Sequence, residues 1–182
     1  PVVFYCPPQI WAWASWRIHK MRRLVDHVLA ALPFEHDWFV AHGMASTLVG
    51  HPFFDELRED ASAPPAVADR PFVLLLPGSR GQEIAANLET ILRAAARVAA
   101  RVPRARFVVG TLHEKHAARV RETIGKIGPA VAGIDIDVVA GRTRRLMRDA
   151  TCAIAVSGSV SLELLAARVP TVIVYRIGGV AH

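Results

Sequence analysis

The feature that most constrains the fold of this chain is an alternation of short apolar runs with longer amphipathic stretches. This alternation is typical of repeated βα units, which build a mainly parallel sheet covered by helices. Before residue 55 it predicts strands at residues 2–5, 27–31 and 47–49, and helices at 16–24 and 36–42. Ile18, Met21 and Val25 recur at spacings of three and four, which predicts the buried stripe of the first helix.

Residues 55–70 interrupt the alternation with Pro64-Pro65, several alanines and mixed charges, and they are typical of a linker between domains. After Pro71 the alternation resumes. It predicts strands at 72–76, 107–109, 136–139, 153–156 and 171–175, and helices at 83–102, 114–127, 143–149 and 160–168. We therefore expect the end of one α/β domain at 1–54 and most of a second one at 71–182.

The long helix predicted at 83–102 is strongly amphipathic. Three arginines at 93, 97 and 101 mark one side. The opposite side carries the apolar set, which we expect to be buried: Ile84, Leu88, Ile91, Ala95, Val98 and Val102.

Composition excludes several classes of protein. Of the 182 residues 52% are hydrophobic, which excludes an intrinsically disordered chain. A membrane-spanning helix needs about 18 uninterrupted apolar residues, and the most apolar region, 152–175, is interrupted by Glu163, Arg168 and Pro170. No charged segment followed by an apolar run opens the chain, so we expect no signal peptide.

The sequence predicts neither a disulfide nor a metal site. Cys6 and Cys152 lie far apart in apolar surroundings, and we expect both to be buried free thiols in a reducing compartment. His113 and His116 are three residues apart, which is not the spacing of a zinc-protease helix. We therefore expect no metal and no cofactor.

The net charge of +6 suits nucleic acid, an anionic lipid surface or a phosphorylated small molecule. The arginines are spread over several predicted helices and are not interleaved with exposed aromatic residues, which argues against nucleic acid. One predicted helix carries a basic cluster, which indicates either a face that contacts a membrane or a solvated face: Arg17, Lys20, Arg22 and Arg23. The nearby Trp11, Trp13 and Trp16 suit either packing or contact with acyl chains.

The loop at 76–83, LPGSRGQE, lies between a predicted buried strand and the long helix. Gly78 allows a ligand to approach the backbone, and the free N–H groups at a helix start favour an anion. Ser79 can donate a hydroxyl hydrogen bond, and Arg80 can place two N–H groups on phosphate oxygens. An ordinary strand-to-helix turn with a solvated arginine is the alternative.

A second loop, Ser157-Gly158-Ser159, also follows a predicted strand and opens a helix. Its hydroxyls and glycine form another candidate anion site, and Glu163 lies one turn further on, where it could accept hydrogen bonds from sugar hydroxyls. The alternative is a capping box, which places its glutamate three residues after the cap. Here the spacing from Ser159 is four. Doubly wound sheets bind ligands beyond the carboxyl ends of their strands, which is where both loops are predicted to lie. The two loops together therefore suggest a site for a diphosphate and a ribose.

Several segments, in order along the chain, resemble the lipid-A-disaccharide synthase family. They are YCPPQIWAW at 5–13, DHVLA at 26–30, LPFE at 32–35, GHP at 50–52, LPGSR at 76–80, SGS with LE at 157–163, and VYR at 174–176. The resemblance implies an α/β protein of GT-B type, with two Rossmann-like parallel-sheet domains that are both incomplete in this chain. His51, beside Pro52 at the end of a predicted strand, could reach the cleft between the domains, and a satisfied structural histidine is the alternative. Arg176 is a second candidate for the cleft.

The resemblance also implies a function. The family transfers 2,3-diacylglucosamine from UDP to the 6-hydroxyl of 2,3-diacylglucosamine 1-phosphate, with inversion and without a metal. Arg80 and the helix start at Gly158 and Ser159 would balance the leaving diphosphate, and Glu163 would hold the ribose. The expected partners are these two lipid substrates and an anionic membrane, reached from the cytoplasm at the inner face of the inner membrane.

Two departures and one absence qualify the resemblance. The family usually has threonine at position 159 and a Ser-Pro element where Cys6-Pro7 stands. Its early glycine-rich loop and its catalytic carboxylate correspond to positions before Pro1, so no catalytic residue is expected in this chain, and this portion alone is expected to be inactive. The alternatives are another GT-B enzyme acting on a UDP-sugar, such as a UDP-N-acetylglucosamine 2-epimerase, or a noncatalytic nucleotide-binding module.

Overall fold

The computed structural model describes residues 1–52, 54–55, 70–128 and 131–174. The chain divides into two compact units, residues 1–61 and 62–182. The boundary between them falls within the predicted linker at 55–70, most of which lies outside the described residues.

The first unit is a three-stranded parallel sheet with helical connections. Its elements are β1 (Val3–Tyr5), α1 (Ile10–Trp13), a 3₁₀ turn (Ser15–Arg17), α2 (Ile18–Leu24), β2 (His27–Ala30), α3 (Pro33–Ala41) and β3 (Ser46–Leu48). The strand order is β1-β2-β3, with Tyr5 opposite Leu29 and Ala30 opposite Leu48. All three strands and both helices predicted before residue 55 are present, and their ends lie within three residues of the predicted ends.

The core of the first unit is formed by α1, α2, α3 and the central strand. Ile18 and Met21 are buried, and Val25 packs against the same cluster, so the predicted stripe is confirmed. The helix α3 begins at Pro33, three residues earlier than predicted, since proline suits the first helical position. The buried carboxylate of Glu35 accepts a hydrogen bond from the Ala31 N–H at 3.2 Å, which holds the chain where it enters α3.

The second unit is a five-stranded parallel sheet with helices on both faces. Its elements are β4 (Phe72–Leu76), α4 (Gly81–Arg101), β5 (Arg106–Thr111), α5 (Glu114–Ile127), β6 (Ile136–Ala140), α6 (Thr143–Asp149), β7 (Cys152–Val156), α7 (Val160–Ala166) and β8 (Thr171–Val174). The order β6-β5-β4-β7-β8 is that of a doubly wound Rossmann-like sheet. All nine elements predicted after Pro71 are confirmed.

The strand β4 lies at the centre of the sheet, and all five of its residues are buried. Leu75 and Val73 pack with the apolar stripe of α4 on one face, while Leu74 and Leu76 pack with Met147 of α6 on the other. In α4 the stripe is buried from Ile84 to Ala95 and partly buried at Val98 and Val102, as predicted. Burial on both faces explains why β4 is a continuous apolar run.

Two further expectations concern the cysteines. Cys6 is exposed, so its predicted burial is wrong: β1 ends at Tyr5, and Cys6 turns the chain away with a φ of +48°. Cys152 at the start of β7 is partly buried, and this burial raises the pKa of its thiol. Both are free thiols. None of the helices in the described ranges is long and apolar enough to cross a membrane.

Candidate functional site

The two predicted loops meet at the carboxyl edge of the second sheet. β4 and β7 are parallel neighbours, with Leu76 opposite Ala155, so the loops that follow them start side by side. The chain passes from β4 outward to β5 and β6 and then returns to the other side of β4 with β7. The loops therefore lie at the topological switch point, where open α/β sheets bind ligands.

A cavity of about 250 Å³ occupies this switch point. All seven residues that the sequence predicts as a nucleotide-sugar site line it: Gly78, Ser79, Arg80, Ser157, Gly158, Ser159 and Glu163. Leu76, Glu83 and Val160 also line the cavity and belong to the two predicted loops, although the sequence does not single them out as binding residues. Four lining residues lie outside those loops and were not predicted: Gly110, Leu112, Thr143 and Val156. The structure thus brings both loops into one site and extends that site toward β5 and β6.

Glu83 organises the first loop. Its Oε2 accepts hydrogen bonds from the N–H of Ser79 at 2.9 Å, from the N–H of Arg80 at 3.3 Å and from the Ser79 hydroxyl at 3.3 Å. Its Oε1 accepts a hydrogen bond from Arg80 Nη1 at 3.3 Å. Arg80 is the residue that caps α4, and Glu83 is the third residue of that helix, which is the glutamate position of a capping box. The sequence carries no capping-box signature at this point, because the signature has serine or threonine at the cap position and Arg80 stands there.

Glu83 also changes what this loop can offer to an anion. The N–H groups of Ser79 and Arg80, expected from the sequence to be available to a phosphate, already donate to the carboxylate. The remaining donors are the N–H groups of the first helical turn, which have no partner within the helix, and the guanidinium of Arg80. The Arg80 side chain is 83% exposed and keeps only one contact with Glu83, so it can turn toward a ligand.

Gly78 is required where β4 enters the loop. Its φ is +131°, a backbone conformation that residues other than glycine rarely adopt. A Cβ at this position would lie 2.6 Å from Glu83 Cβ and 2.9 Å from its Oε2. The glycine therefore allows the loop to close onto the carboxylate that holds it.

The ionisation of Glu83 gives this loop a pH dependence. The hydrogen bond from the Ser79 N–H lowers the pKa of the Glu83 carboxyl, with further lowering from the Arg80 N–H and guanidinium, although partial burial opposes the shift. A lowered folded-state pKa means that the ionised group stabilises the fold above the usual glutamate pKa of about 4.3. The stabilisation is lost as the pH falls through the folded-state pKa.

We expect Glu83→Gln to lower the melting temperature at pH 7, because the amide forms weaker hydrogen bonds with the loop than the carboxylate does. The difference from wild type should begin to shrink near pH 4–5 and disappear in more acidic solution. Thermal melts from pH 3 to 8 measure it, with Glu89→Gln as a surface control whose carboxylate pairs with Arg93. A difference that is constant over this range would contradict the assignment.

The second loop is open on one side of Gly158. Ser159 caps α7, but its hydroxyl makes no capping hydrogen bond, so the capping-box alternative fails here. The hydrogen bond that closes this turn runs from the Ser161 hydroxyl to the Gly158 carbonyl oxygen at 2.6 Å. Around Gly158, whose φ is +156°, the described residues other than its two chain neighbours place no atom within 4 Å of where a Cβ would stand. A ligand can therefore approach the backbone closely at this point.

Comparison with known proteins identifies the family. The family model described as lipid-A-disaccharide synthetase matches residues 1–181. The chain belongs to this family.

Curated members of the lipid-A-disaccharide synthase family align with nearly the whole chain. The enzyme of Idiomarina loihiensis is 36% identical over 96% of the chain and 47% of its own length. The enzyme of Trichlorobacter lovleyi is 36% identical over 97% of the chain and 46% of its own length. The chain therefore spans about half the length of the curated family members that it matches.

A solved structure, the S. aureus MnaA–UDP co-structure, has the same fold. It superposes with a TM-score of 0.61 and 16% sequence identity over 83% of the chain and 42% of its own length. With the two parallel sheets described above, this confirms the α/β, GT-B-like fold that the family resemblance implied.

The structure does not test the cleft role expected for His51 and Arg176. His51 belongs to the first unit, where it is partly buried and its ring contacts that of Phe54 edge-on, with 6.2 Å between the centroids. Arg176 lies outside the described residues. A role at the cleft stays a prediction for both residues.

Proposed function

We propose that the protein is a lipid-A-disaccharide synthase that transfers 2,3-diacylglucosamine from UDP to the 6-hydroxyl of 2,3-diacylglucosamine 1-phosphate. The observation that carries this proposal is the cavity at the switch point, which gathers all seven predicted site residues. Membership of the family supports the choice of substrates. The MnaA structure is a co-structure with UDP, which agrees with a uridine nucleotide as the donor.

In the proposed complex the donor diphosphate lies between the two loops. Arg80 places two N–H groups on its oxygens, and the hydroxyls of Ser157 and Ser159 donate to it, while the Ser79 hydroxyl stays with Glu83. As the glycosidic bond to the diphosphate breaks, negative charge grows on the leaving oxygen, and these donors stabilise it. Because an arginine supplies positive charge at the diphosphate, we propose that transfer needs no metal.

Glu163 is proposed to hold the ribose. It lines the cavity one helical turn after Ser159, roughly 5–6 Å along the axis. A carboxylate touching the diphosphate would be repelled by it, so the useful position for this group is further out, on the two ribose hydroxyls. Inversion at the anomeric carbon requires a base that takes the proton of the acceptor hydroxyl. No residue of this chain is assigned to that base.

We expect Glu163→Gln to weaken binding of UDP more than binding of free pyrophosphate. Glutamine keeps the shape and one acceptor but loses the charge that strengthens hydrogen bonds from the ribose hydroxyls. Titration calorimetry with both ligands gives the affinity ratio, and Glu122→Gln on α5, whose carboxylate pairs with Lys126, is the control. If the ratio of UDP affinity to pyrophosphate affinity were unchanged and the melting temperature were lower, Glu163 would have a purely structural role.

We further propose that the first unit contacts an anionic membrane through residues 10–24, at the cytoplasmic face of the inner membrane. Trp13 and Trp16 are 65% and 67% exposed, and the Arg17 guanidinium lies 5.9 Å from the Trp13 ring centre. Lys20 and Arg23 are exposed on α2, and the first 25 residues contain no acidic side chain. Exposed tryptophan beside basic residues is typical of a surface that lies in the membrane interface.

Replacing both Lys20 and Arg23 by glutamine should lower affinity for vesicles containing phosphatidylglycerol by about thirtyfold, at about 1 kcal/mol per basic residue. Cosedimentation with vesicles measures this. The matched control is replacement of Arg97 and Arg101 by glutamine. Both are exposed on α4, so this variant loses the same charge from the second unit. Equal losses in the two variants would show that only net charge matters.

A further inference from the structure

One end of the cavity has no part in the donor contacts proposed above. Gly110 and Leu112 form this end at the close of β5, together with Thr143 at the start of α6. The Gly141 N–H donates to the Thr111 carbonyl oxygen at 2.9 Å, which holds the loops after β5 and β6 together. None of these three residues is charged, whereas the charged lining residues within the described ranges, Arg80, Glu83 and Glu163, lie on α4, its preceding loop and α7. This end therefore suits an uncharged part of a ligand.

Thr143 carries an unsatisfied polar group at this end. Its hydroxyl oxygen is shielded from solvent and has no hydrogen-bond partner within the described part of the chain. A buried hydroxyl without a partner is destabilising, and native structures keep few of them. The residue as a whole is partly buried and lines the cavity, and rotation about χ1 is the movement that would bring its hydroxyl to a bound ligand. A ligand in the cavity is the partner that the fold itself does not supply.

The dimensions match a nucleoside. β4 separates β5 from β7, and adjacent strands lie about 4.8 Å apart, so the loops after β5 and β7 are about 10 Å apart. With the diphosphate at Arg80 and Ser159 and the ribose at Glu163, the base and the diacylglucosamine remain to be placed. The base is the one of these two groups that is joined directly to the ribose. Leu112 is half exposed beside Thr143 and offers an apolar surface to a planar ring.

We propose that Thr143 is a further substrate-binding residue, whose hydroxyl hydrogen-bonds the pyrimidine base of the donor nucleotide while Leu112 packs on the ring. This inference rests on the proposed function, since it places the base of the same donor. Uracil presents one N–H donor between two carbonyl acceptors, and a threonine hydroxyl can pair with either kind of group. A valine at this position would keep the shape and lose the hydrogen bond.

Titration calorimetry on the full-length protein tests the assignment with UDP and with ribose 5-diphosphate, which lacks the base. Thr143→Val should lower UDP affinity about three- to tenfold, the usual range for one neutral hydrogen bond, and leave ribose 5-diphosphate affinity unchanged. Thr143→Ser, which keeps the hydroxyl, should bind UDP nearly as wild type does. The melting temperature of Thr143→Val should be unchanged or higher, because the variant removes an unsatisfied buried group.

The outcomes separate this inference from the function on which it rests. Equal UDP affinity in wild type and Thr143→Val would overturn the role of Thr143 and leave the UDP site standing. An equal loss for UDP and ribose 5-diphosphate would assign Thr143 a structural role and would also overturn it. A wild-type protein that binds no UDP would overturn the proposed function itself.

Discussion

Gly78→Ala is expected to destabilise the second unit by about 2–6 kcal/mol and to weaken UDP binding at least tenfold. About 1–3 kcal/mol comes from placing a non-glycine residue at a φ of +131°. A further 1–3 kcal/mol comes from overpacking, because the new Cβ would stand 2.6 Å from Glu83 Cβ. The loop can relieve the contact only by leaving Glu83, and this would move Ser79 and Arg80 away from the diphosphate.

Chemical denaturation and UDP titration at 25 °C measure the two effects of Gly78→Ala. Gly125→Ala is the matched control, since Gly125 lies within α5 and, apart from the adjacent backbone of that helix, the described residues place no atom within 4 Å of a Cβ there. That substitution should stabilise the protein by about 0.5–1 kcal/mol through helix propensity. If Gly78→Ala were as stable as wild type and bound UDP equally well, the packing of Glu83 against the loop would have no functional consequence.

Arg80→Ala is expected to weaken UDP binding by about 1.5–3 kcal/mol, the range for a hydrogen bond to a charged group. The substitution also leaves Glu83 without its cation, 3.3 Å away in the wild type, so the uncompensated carboxylate would repel the diphosphate. The fold should be little affected, since the arginine side chain is largely exposed. Calorimetric titration with UDP measures the loss.

Arg80→Lys and Arg93→Ala are the controls for this prediction. Lysine keeps the charge but cannot fork onto two oxygens, so its affinity should fall between those of wild type and Arg80→Ala. Arg93 on the exposed side of α4 pairs with Glu89, and its removal should leave UDP affinity unchanged. If Arg80→Ala bound UDP as tightly as wild type, Arg80 would have no place in the site.

The secondary structure was largely predictable because the second unit follows simple periodicity. The strand at 72–76 and the helices at 114–127 and 143–149 were predicted with the observed bounds. Burial on both faces makes β4 continuously apolar, and one buried face gives α4 its stripe. Short elements were harder: α1 has only four residues, too few for a period to show, and it was not predicted.

The two loops of the candidate site were predictable because each follows a buried strand and opens a helix. That they meet in one cavity depends on β4 and β7 being neighbours, and the strand order is set by tertiary packing. Glu83 was missed because its role emerges only when the loop folds back on it. Thr143 was missed because nothing in the local sequence marks a hydroxyl that ends up buried without a partner. The exposure of Cys6 likewise follows from where β1 ends, within an otherwise apolar segment.

The most direct test of the proposed function is a transfer assay with the full-length protein. UDP-2,3-diacylglucosamine and 2,3-diacylglucosamine 1-phosphate are incubated with and without EDTA, and released UDP and the lipid product are quantified by mass spectrometry. We predict one UDP released for each disaccharide formed, inversion at the anomeric carbon, and no effect of the chelator. No disaccharide, or a free epimerised sugar in its place, would contradict the proposed reaction, and activity lost in EDTA and restored by magnesium would contradict metal-independent transfer.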